Sequence, residues 1–544
     1  MTYFRILIST GIFFLLAACS NAPLESNPAV TADSRPNILF IVADDLGFTD
    51  IGAFGSEIST PTLDQLAMRG LRISNMHAGP ACQPTRAMLM ASTGYYRAVQ
   101  QRPNMPTGER NNLLSLDYAI IPELMQEAGY STFMAGKWDL GWDQGYTPAT
   151  RGFDRSFAQL GASSSFFREY FFDPADLGYE NDGERVKFED LNEDFYVTDH
   201  YTDKMLEYLN SADKNKPWFA FMPYTAPHWP LQLPEDWLDK YAGKYDMGYD
   251  ELRKQRVARG QSLGVFPENL NMENFKSTTE RWLDLSPEKQ LKYARAQEIL
   301  AGMVEHLDMS VGRIISYLEA SGQLDNTIVI FTSDHGASVG EYGVGTGGVG
   351  NGRGPKIPAK TDNSFENFGR IGSFIDHGRG FGEASSAPFK YFKGALNEGG
   401  IRAAGFIYYP KKIDAGGVSH EYMTMMDFMP TFLDIAGTEH PGAGTFKGRQ
   451  IKAISGQSAW PYLTGAASSV HEDNYAVGWS NNGTRGSLIR GGYKLINTAA
   501  PGEQGPADWR LYDLVKDPGE HTNIATDFPD MVMEMSTEWE TNWK

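Results

Sequence analysis

Two apolar runs, far apart in the chain, restrict its fold more than any other feature. Ile38-Leu39-Phe40-Ile41-Val42-Ala43 and Thr327-Ile328-Val329-Ile330-Phe331-Thr332-Ser333 show no polar alternation, the pattern of strands covered on both faces in a parallel sheet. The first ends abruptly in Asp44-Asp45 and the second in Asp334-His335. Carboxylates at the end of a buried strand are costly unless a cation or hydrogen bonds compensate them. Two such pairs on one sheet edge suit a divalent cation bound outside the strands' carboxyl ends. Calcium is the hard-ligand choice, while the histidine leaves magnesium, manganese or zinc open. For Asp44-Asp45 the alternative is an acidic N-cap of the next helix.

A third stretch, Gly79-Pro80-Ala81-Cys82-Gln83-Pro84-Thr85-Arg86, precedes the apolar run Ala87-Met88-Leu89-Met90-Ala91 and reads as the start of a buried helix. Arg86 lies four residues after Cys82, so one helix face carries both, and an arginine-backed cysteine at a helix N-terminus makes an anion site.

Cys82-Gln83-Pro84-Thr85-Arg86 resembles the C-x-P-[S/T]-R signature of the type I sulfatases, whose cysteine is oxidised by a separate enzyme to formylglycine. The resemblance runs from about Pro36 to the end of the chain, and within the arylsulfatase branch it is strongest to bacterial enzymes of the Pseudomonas type. It implies an α/β fold of the alkaline phosphatase/sulfatase kind: a large mixed, mostly parallel sheet flanked by helices, plus a small C-terminal α+β domain. It implies one Ca2+ held by Asp44, Asp45, Asp334, His335 and modified Cys82, with His335 standing where many relatives carry asparagine.

The same resemblance assigns further residues. Gly136-Lys137-Trp138-Asp139-Leu140-Gly141 is similar to the second signature, G-K-W-H-L-G. Lys137 matches the lysine that contacts sulfate, and Asp139 replaces the histidine that contacts the formylglycine hydrate. A sulfate group repels an ionised carboxylate, yet Asp139 is expected beside modified Cys82 as a catalytic acceptor or base for a hydrate hydroxyl, neutralised by Arg86 and the metal; the alternative is that it points away and activity is reduced. Pro227-His228-Trp229-Pro230 resembles the P-H-x-P element, which makes His228 a contact to the sulfate and the leaving-group oxygen. Lys393, ahead of Gly399-Gly400-Ile401-Arg402, matches another sulfate-binding lysine, with Lys390 as its competitor.

Met1 to Ala18 has one basic residue, Arg5, and an apolar run too short to span a bilayer. It reads as a signal peptide, and Leu16-Ala17-Ala18-Cys19-Ser20 resembles a lipoprotein box with Cys19 acylated. An ordinary secretory signal is the alternative, and export to the periplasm or an outer-membrane anchor follows either way. Cys19 and Cys82 are the two cysteines; a bridge between them would consume the residue on which the motifs converge. The expected organisation is a signal peptide at 1–19, a flexible tether at 20–35, a catalytic domain at 36–439, and a C-terminal antiparallel sheet and helix subdomain at 440–544.

Elsewhere, Ser286-Pro287-Glu288 starts a helix running to a glycine stop at Gly322, with His306 and Asp308 structural. Gly336 to Ser386 reads as irregular, Ala403 to Tyr409 as the last strand of the main sheet, and Thr424 to Gly437 as a helix. The aromatic cluster from Phe166 to Phe172 packs against the body or walls a leaving-group pocket. A formal charge of −20 disfavours nucleic acid and anionic membrane surfaces as partners, leaving the lipid anchor as the membrane contact.

The function expected is hydrolysis of a small sulfate monoester, an aryl sulfate, by formylglycine at residue 82, after maturation by a formylglycine-generating enzyme. The alternatives are a phosphonate monoester or phosphodiester hydrolase of the same superfamily, and a catalytically weakened sulfate-ester-binding lipoprotein.

Overall fold

The computed structural model describes Met1 and residues 34–101, 112–169, 178–270, 272, 275–345, 360–481, 483–499 and 506–544. Apart from Met1, the expected signal peptide with Cys19 lies outside these residues. Arg35, at the end of the expected tether, is held: it donates to the carbonyls of Ala128 at 2.7 Å and Ala436 at 3.2 Å.

The two apolar runs form the strands Asn37–Ala43 and Thr327–Ser333, which lie side by side and parallel, Ala43 opposite Ser333. Trp218–Pro223 joins Asn37–Ala43 on its other side and Ser131–Lys137 follows, both parallel. Next to Thr327–Ser333 runs Arg402–Tyr408, antiparallel, and then Leu71–His77, which therefore points the same way as the central strands. The carboxyl ends of five strands thus share one edge. Arg402–Tyr408 is not the last strand: Gly417–Ser419 and Met423–Thr424 both pair with Leu71–His77. These pieces, of three and two residues, are too short to carry a periodic signal.

Both faces of the sheet are covered. Leu39, Ile41, Val329 and Phe331 pack under Ile299, Leu307, Val311 and Ile314 of the helix Pro287–Ala320. Phe40, Ile330 and Phe221 face Met88, Phe428 and Phe432. Each such side chain contributes roughly 1.5–3 kcal/mol by leaving water, which explains why these strands read as continuous apolar runs. Ser286 caps the long helix by accepting from the Lys289 amide, and Asp308 accepts from the Thr62 and Leu63 amides at the start of helix Pro61–Arg69.

The segment expected to be irregular contains the helix Gly378–Ser386, whose three glycines conceal it from propensity. Phe166 is fully buried against Tyr196, and Phe167 packs on the same ring; for these two the packing reading holds, because their rings fill the core. Phe171 and Phe172 fall outside the described residues.

Residues 444–463 pack on the main body through Ile451, Ala459 and Leu463, and the separate four-stranded antiparallel sheet begins at Ala476. A buried ionic network joins that sheet to the body. Glu398 pairs with His77 at 2.9 Å, Arg402 at 3.2 Å and Lys494 at 2.8 Å. Glu520 pairs with Lys494 at 3.0 Å and accepts from the Glu398 amide at 2.9 Å. Glu520→Ala is expected to destabilise the protein by about 3–5 kcal/mol, because Lys494 keeps its charge without one partner; a chemical-denaturation midpoint equal to that of the unchanged protein would refute this.

Candidate active site

Strand order dictates which side chains meet. Asp44 and Asp45 leave the end of Asn37–Ala43, Asp334 and His335 the end of Thr327–Ser333, and Lys137 closes Ser131–Lys137. His228 follows Trp218–Pro223, and Cys82 opens the helix Cys82–Ala91 beyond Leu71–His77. That helix begins at Cys82, and Gly79 is needed beneath it: a Cβ there would lie 2.7 Å from the Thr85 nitrogen.

Cys82 Sγ lies 3.3 Å from Asp44 Oδ1, 3.3 Å from His335 Nε2 and 3.4 Å from Lys393 Nζ. Arg86, one turn along, reaches Asp44 Oδ2 at 3.3 Å and Asp334 Oδ2 at 3.4 Å and donates to the Lys137 carbonyl at 2.7 Å. Lys137 donates to Asp44, and Lys393 to Asp45 Oδ1 at 2.5 Å. His335 Nδ1 is held on the Gly336 carbonyl at 2.9 Å, which directs Nε2 to Cys82 and to Asp45 and Asp334, each at 3.4 Å. His228 is fixed through Nδ1 on the Trp229 carbonyl, with Nε2 3.5 Å from Asp45 Oδ2.

These contacts set the charge states. Burial and Asp44 push the Cys82 thiol up, but Lys137, Lys393 and His335 outweigh them and bring it down to about 6. Burial opposes ionisation of Asp44, yet Lys137, His228, Arg86 and Lys393 hold it well below the usual carboxylate range. Burial and the Asp44 charge lift Asp334 to about 6. Burial brings His228 down to about 3, while Asp334 and Cys82 overcome burial at His335 and raise it to about 9.

The residues also fit a metal. Asp44, Cys82, Asp334 and His335 each offer a donor atom within 4.8 Å of the others, and so do Asp44, Asp45, Cys82 and His228. Among the described residues, Asp45 Oδ2 is buried with no hydrogen-bond partner, the kind of orphaned acceptor a cation satisfies.

Two sequence expectations separate here. Lys393 enters the site, whereas the Lys390 ammonium lies over the Tyr391 ring, 5.3 Å from its centre. The Asp139 carboxylate makes no hydrogen bond to the Cys82 sulfur among the described residues; the Asp139 backbone turns through a left-handed φ of 54°, and its carbonyl accepts from Gln83. Asp139 still acts on Arg86 and Lys137 through its charge.

Two supports escaped sequence reasoning. Asp50 ties the loop after Asp45 by accepting from Gly47 N at 2.8 Å and Arg256 at 2.5 Å. Asp376 accepts from Ser338 at 2.5 Å and from the Gly340 amide at 2.8 Å, bracing the segment after His335. Neither lies in a motif, so no local signal marks them.

Acids and cations gathered around one cysteine at the carboxyl edge of a mostly parallel sheet define a hydrolase of anionic esters with an alkaline phosphatase-like fold. Residues 36–438 match the sulfatase family model, and residues 389–541 match that of the N-sulphoglucosamine sulphohydrolase C-terminal region. The chain belongs to the sulfatase family and is a sulfuric ester hydrolase. An uncharacterized sulfatase of Schizosaccharomyces pombe is 38% identical over 93% of both chains. An arylsulfatase of Klebsiella aerogenes is 33% identical over 78% of this chain and 91% of its own length. Among solved structures, a phosphonate monoester hydrolase of Agrobacterium radiobacter shares the fold, with a TM-score of 0.56 and 18% identity over 93% of this chain and 95% of that one. A structure bound to D-glucosamine-2-N,6-O-disulfate shares it with a TM-score of 0.60 and 21% identity over 93% and 97%.

Proposed function

We propose that the protein hydrolyses aryl sulfate monoesters with residue 82 as nucleophile, after oxidation of Cys82 to formylglycine by a separate maturation enzyme. The observation that carries this reading is the setting of Cys82 Sγ, within 3.4 Å of Lys393 Nζ and backed by Arg86 and Lys137. The modification would supply a hydrated aldehyde whose hydroxyl attacks sulfur. Asp44, Asp45, Asp334 and His335, with residue 82, would hold a divalent cation, Ca2+ by the hardness of its donors, supplying charge to the sulfate oxygens.

The chain's own residues do the rest. Arg86, Lys137 and Lys393 counter the charge that builds on the sulfate oxygens as the leaving group departs. His228 Nε2, oriented by the Trp229 carbonyl, donates a proton to the leaving oxygen. With its Nδ1 proton on the Trp229 carbonyl, the ring must take up a second proton from solvent at Nε2 before donating it; burial opposes this uptake, and an anionic ester beside the ring favours it.

The proposal includes export, with Cys19 acylated and the protein in the periplasm or on the outer membrane. Palmitate labelling of the full chain, lost in Cys19→Ser, tests the anchor.

Protein made with a formylglycine-generating enzyme tests the chemistry. The Cys82 peptide is expected to carry the aldehyde mass, an aryl sulfate to be turned over faster than an aryl phosphodiester, and EDTA to abolish turnover until Ca2+ is restored. Correctly modified protein that turns over no sulfate ester would overturn the hydrolase reading, and full activity in EDTA would overturn the metal.

A further inference from the structure

Glu398 is completely buried and opens the short helix Glu398–Ile401. The backbone of that turn touches three loops of the site. The Ala78 amide, on the way to Cys82, donates to the Ile401 carbonyl at 2.7 Å, and the Gly336 amide, next to His335, donates to the Gly400 carbonyl at 3.3 Å. The Gly399 amide donates at 2.9 Å to the carbonyl of Lys390, just ahead of Lys393. The loops also join one another: the Lys393 amide donates to the Ala337 carbonyl at 3.1 Å and the Gly394 amide to the Pro80 carbonyl at 2.7 Å. The fit leaves no slack, since a Cβ at Gly399 would lie 2.1 Å from the Tyr391 carbonyl oxygen and one at Gly400 2.2 Å from that of Ala395.

The Glu398 side chain anchors this turn to two other parts of the chain. His77, at 2.9 Å, ends the strand that leads to Cys82, and Arg402, at 3.2 Å, also donates to the Ser74 carbonyl of that strand at 2.8 Å. Lys494, at 2.8 Å, comes from the strand Tyr493–Thr498 of the C-terminal sheet. Glu520 in turn holds Lys494 at 3.0 Å and accepts from the Glu398 amide and the Asn397 side-chain amide, each at 2.9 Å. Burial opposes ionisation of Glu398, yet His77, Lys494 and Arg402 keep its carboxyl well below the usual carboxylate range. A buried carboxylate so surrounded resists displacement, because moving it leaves its partners' charges uncompensated away from water.

We propose that Glu398 is a positioning residue for sulfate ester hydrolysis, setting the placement of Lys393 relative to residue 82, and that through Lys494 the C-terminal sheet contributes to this placement. This rests on residue 82 and Lys393 acting as proposed above. Glu398 acts through the turn it anchors, whose backbone carries the loops of both residues. Lys393 Nζ lies 3.4 Å from Cys82 Sγ. A cation counters the charge developing on the sulfate oxygens only if it is already placed against them, and a misplacement of about 1 Å caused from outside the reacting groups costs roughly 10^2-fold in rate. Glutamine at 398 keeps the volume but removes the charge around which Lys494 and Arg402 close, so the turn and the Lys393 loop bonded to it can shift.

The test uses the full, modified, Ca2+-loaded protein, with rates referred to the folded fraction. In Glu398→Gln, kcat/KM for an aryl sulfate is expected to fall about 10^2-fold. The same change made in Lys393→Ala should cost no more than about threefold, because the lysine it places is already gone. Equal losses in the two backgrounds overturn the proposal, and so does activity of Glu398→Gln within about twofold of the parent's, which would leave Glu398 a role in stability alone. Where Glu398→Gln yields too little folded protein, Lys494→Met carries the same comparison, with a loss of about tenfold expected in the parent and none in Lys393→Ala. A second readout needs no turnover: calorimetry of inorganic sulfate binding to Cys82→Ala protein. Binding weakened about tenfold by Glu398→Gln, but unaffected by it once Lys393 is alanine, supports the positioning role even if the hydrolase reading fails; the same response in both backgrounds removes it.

Discussion

Cys82→Ala is expected to lower kcat for an aryl sulfate by about 10^4-fold or more, since residues acting as one nucleophilic unit lose most of their effect when the nucleophile goes. The cation cluster survives this change: Arg86 still joins Asp44 and Asp334, and Lys393 still reaches Asp45. Substrate binding should therefore persist, visible as competitive retention of a sulfate ester by a protein that no longer turns it over. Cys82→Ser separates nucleophilicity from the aldehyde chemistry. Its hydroxyl can attack sulfur, forming one S–O bond as the leaving oxygen departs with a proton from His228. The resulting serine sulfate has no second hydroxyl from which sulfate can be expelled, so the expected result is one equivalent of phenol and a peptide heavier by one SO3 group. Retention of more than a tenth of the activity by Cys82→Ala would place the nucleophile elsewhere.

The second large effect is expected at Arg86. Its side chain is almost wholly buried and holds Asp44 and Asp334 together while donating to the Lys137 carbonyl. Removing it leaves two buried carboxylates facing each other with less counter-charge, and breaking buried ion pairs in this way costs about 3–5 kcal/mol. Arg86→Ala should lose that much stability in denaturant titration and about 10^2–10^3-fold in kcat, the scale of one lost oxyanion contact. Added Ca2+ separates the two losses. A cation bound by Asp44 and Asp334 relieves their repulsion and should recover part of the stability, but not the guanidinium's place against the substrate, so the activity should stay low. Recovery of both by Ca2+ would show that Arg86 serves only the fold.

Much of this site was readable because each piece sits in a short local pattern. Asp44-Asp45 and Asp334-His335 stand directly after apolar runs, Cys82 and Arg86 have helical spacing, and Lys137, His228 and Lys393 lie in recognisable short motifs; the structure brings all of these together. For Asp139 a motif position specifies neighbours in the chain and not the left-handed backbone angle that aims the side chain. Lys390 and Lys393 could not be separated by sequence for a related reason: three residues of loop reverse the direction in which a lysine points. The helix Gly378–Ser386 was hidden by its glycines, and the edge strands Gly417–Ser419 and Met423–Thr424 by their length.

Linear order alone established the strands, the cysteine helix and the family signature, because burial on both faces of a parallel sheet and the helical repeat write themselves into adjacent residues. Only the folded chain decided that Thr327–Ser333 lies beside Asn37–Ala43, that Glu520 and Lys494 lock onto Glu398, and that Trp543 packs on Gly478. Those outcomes depend on which surfaces pack across hundreds of residues, where shape and charge are matched in three dimensions and leave no period in the sequence.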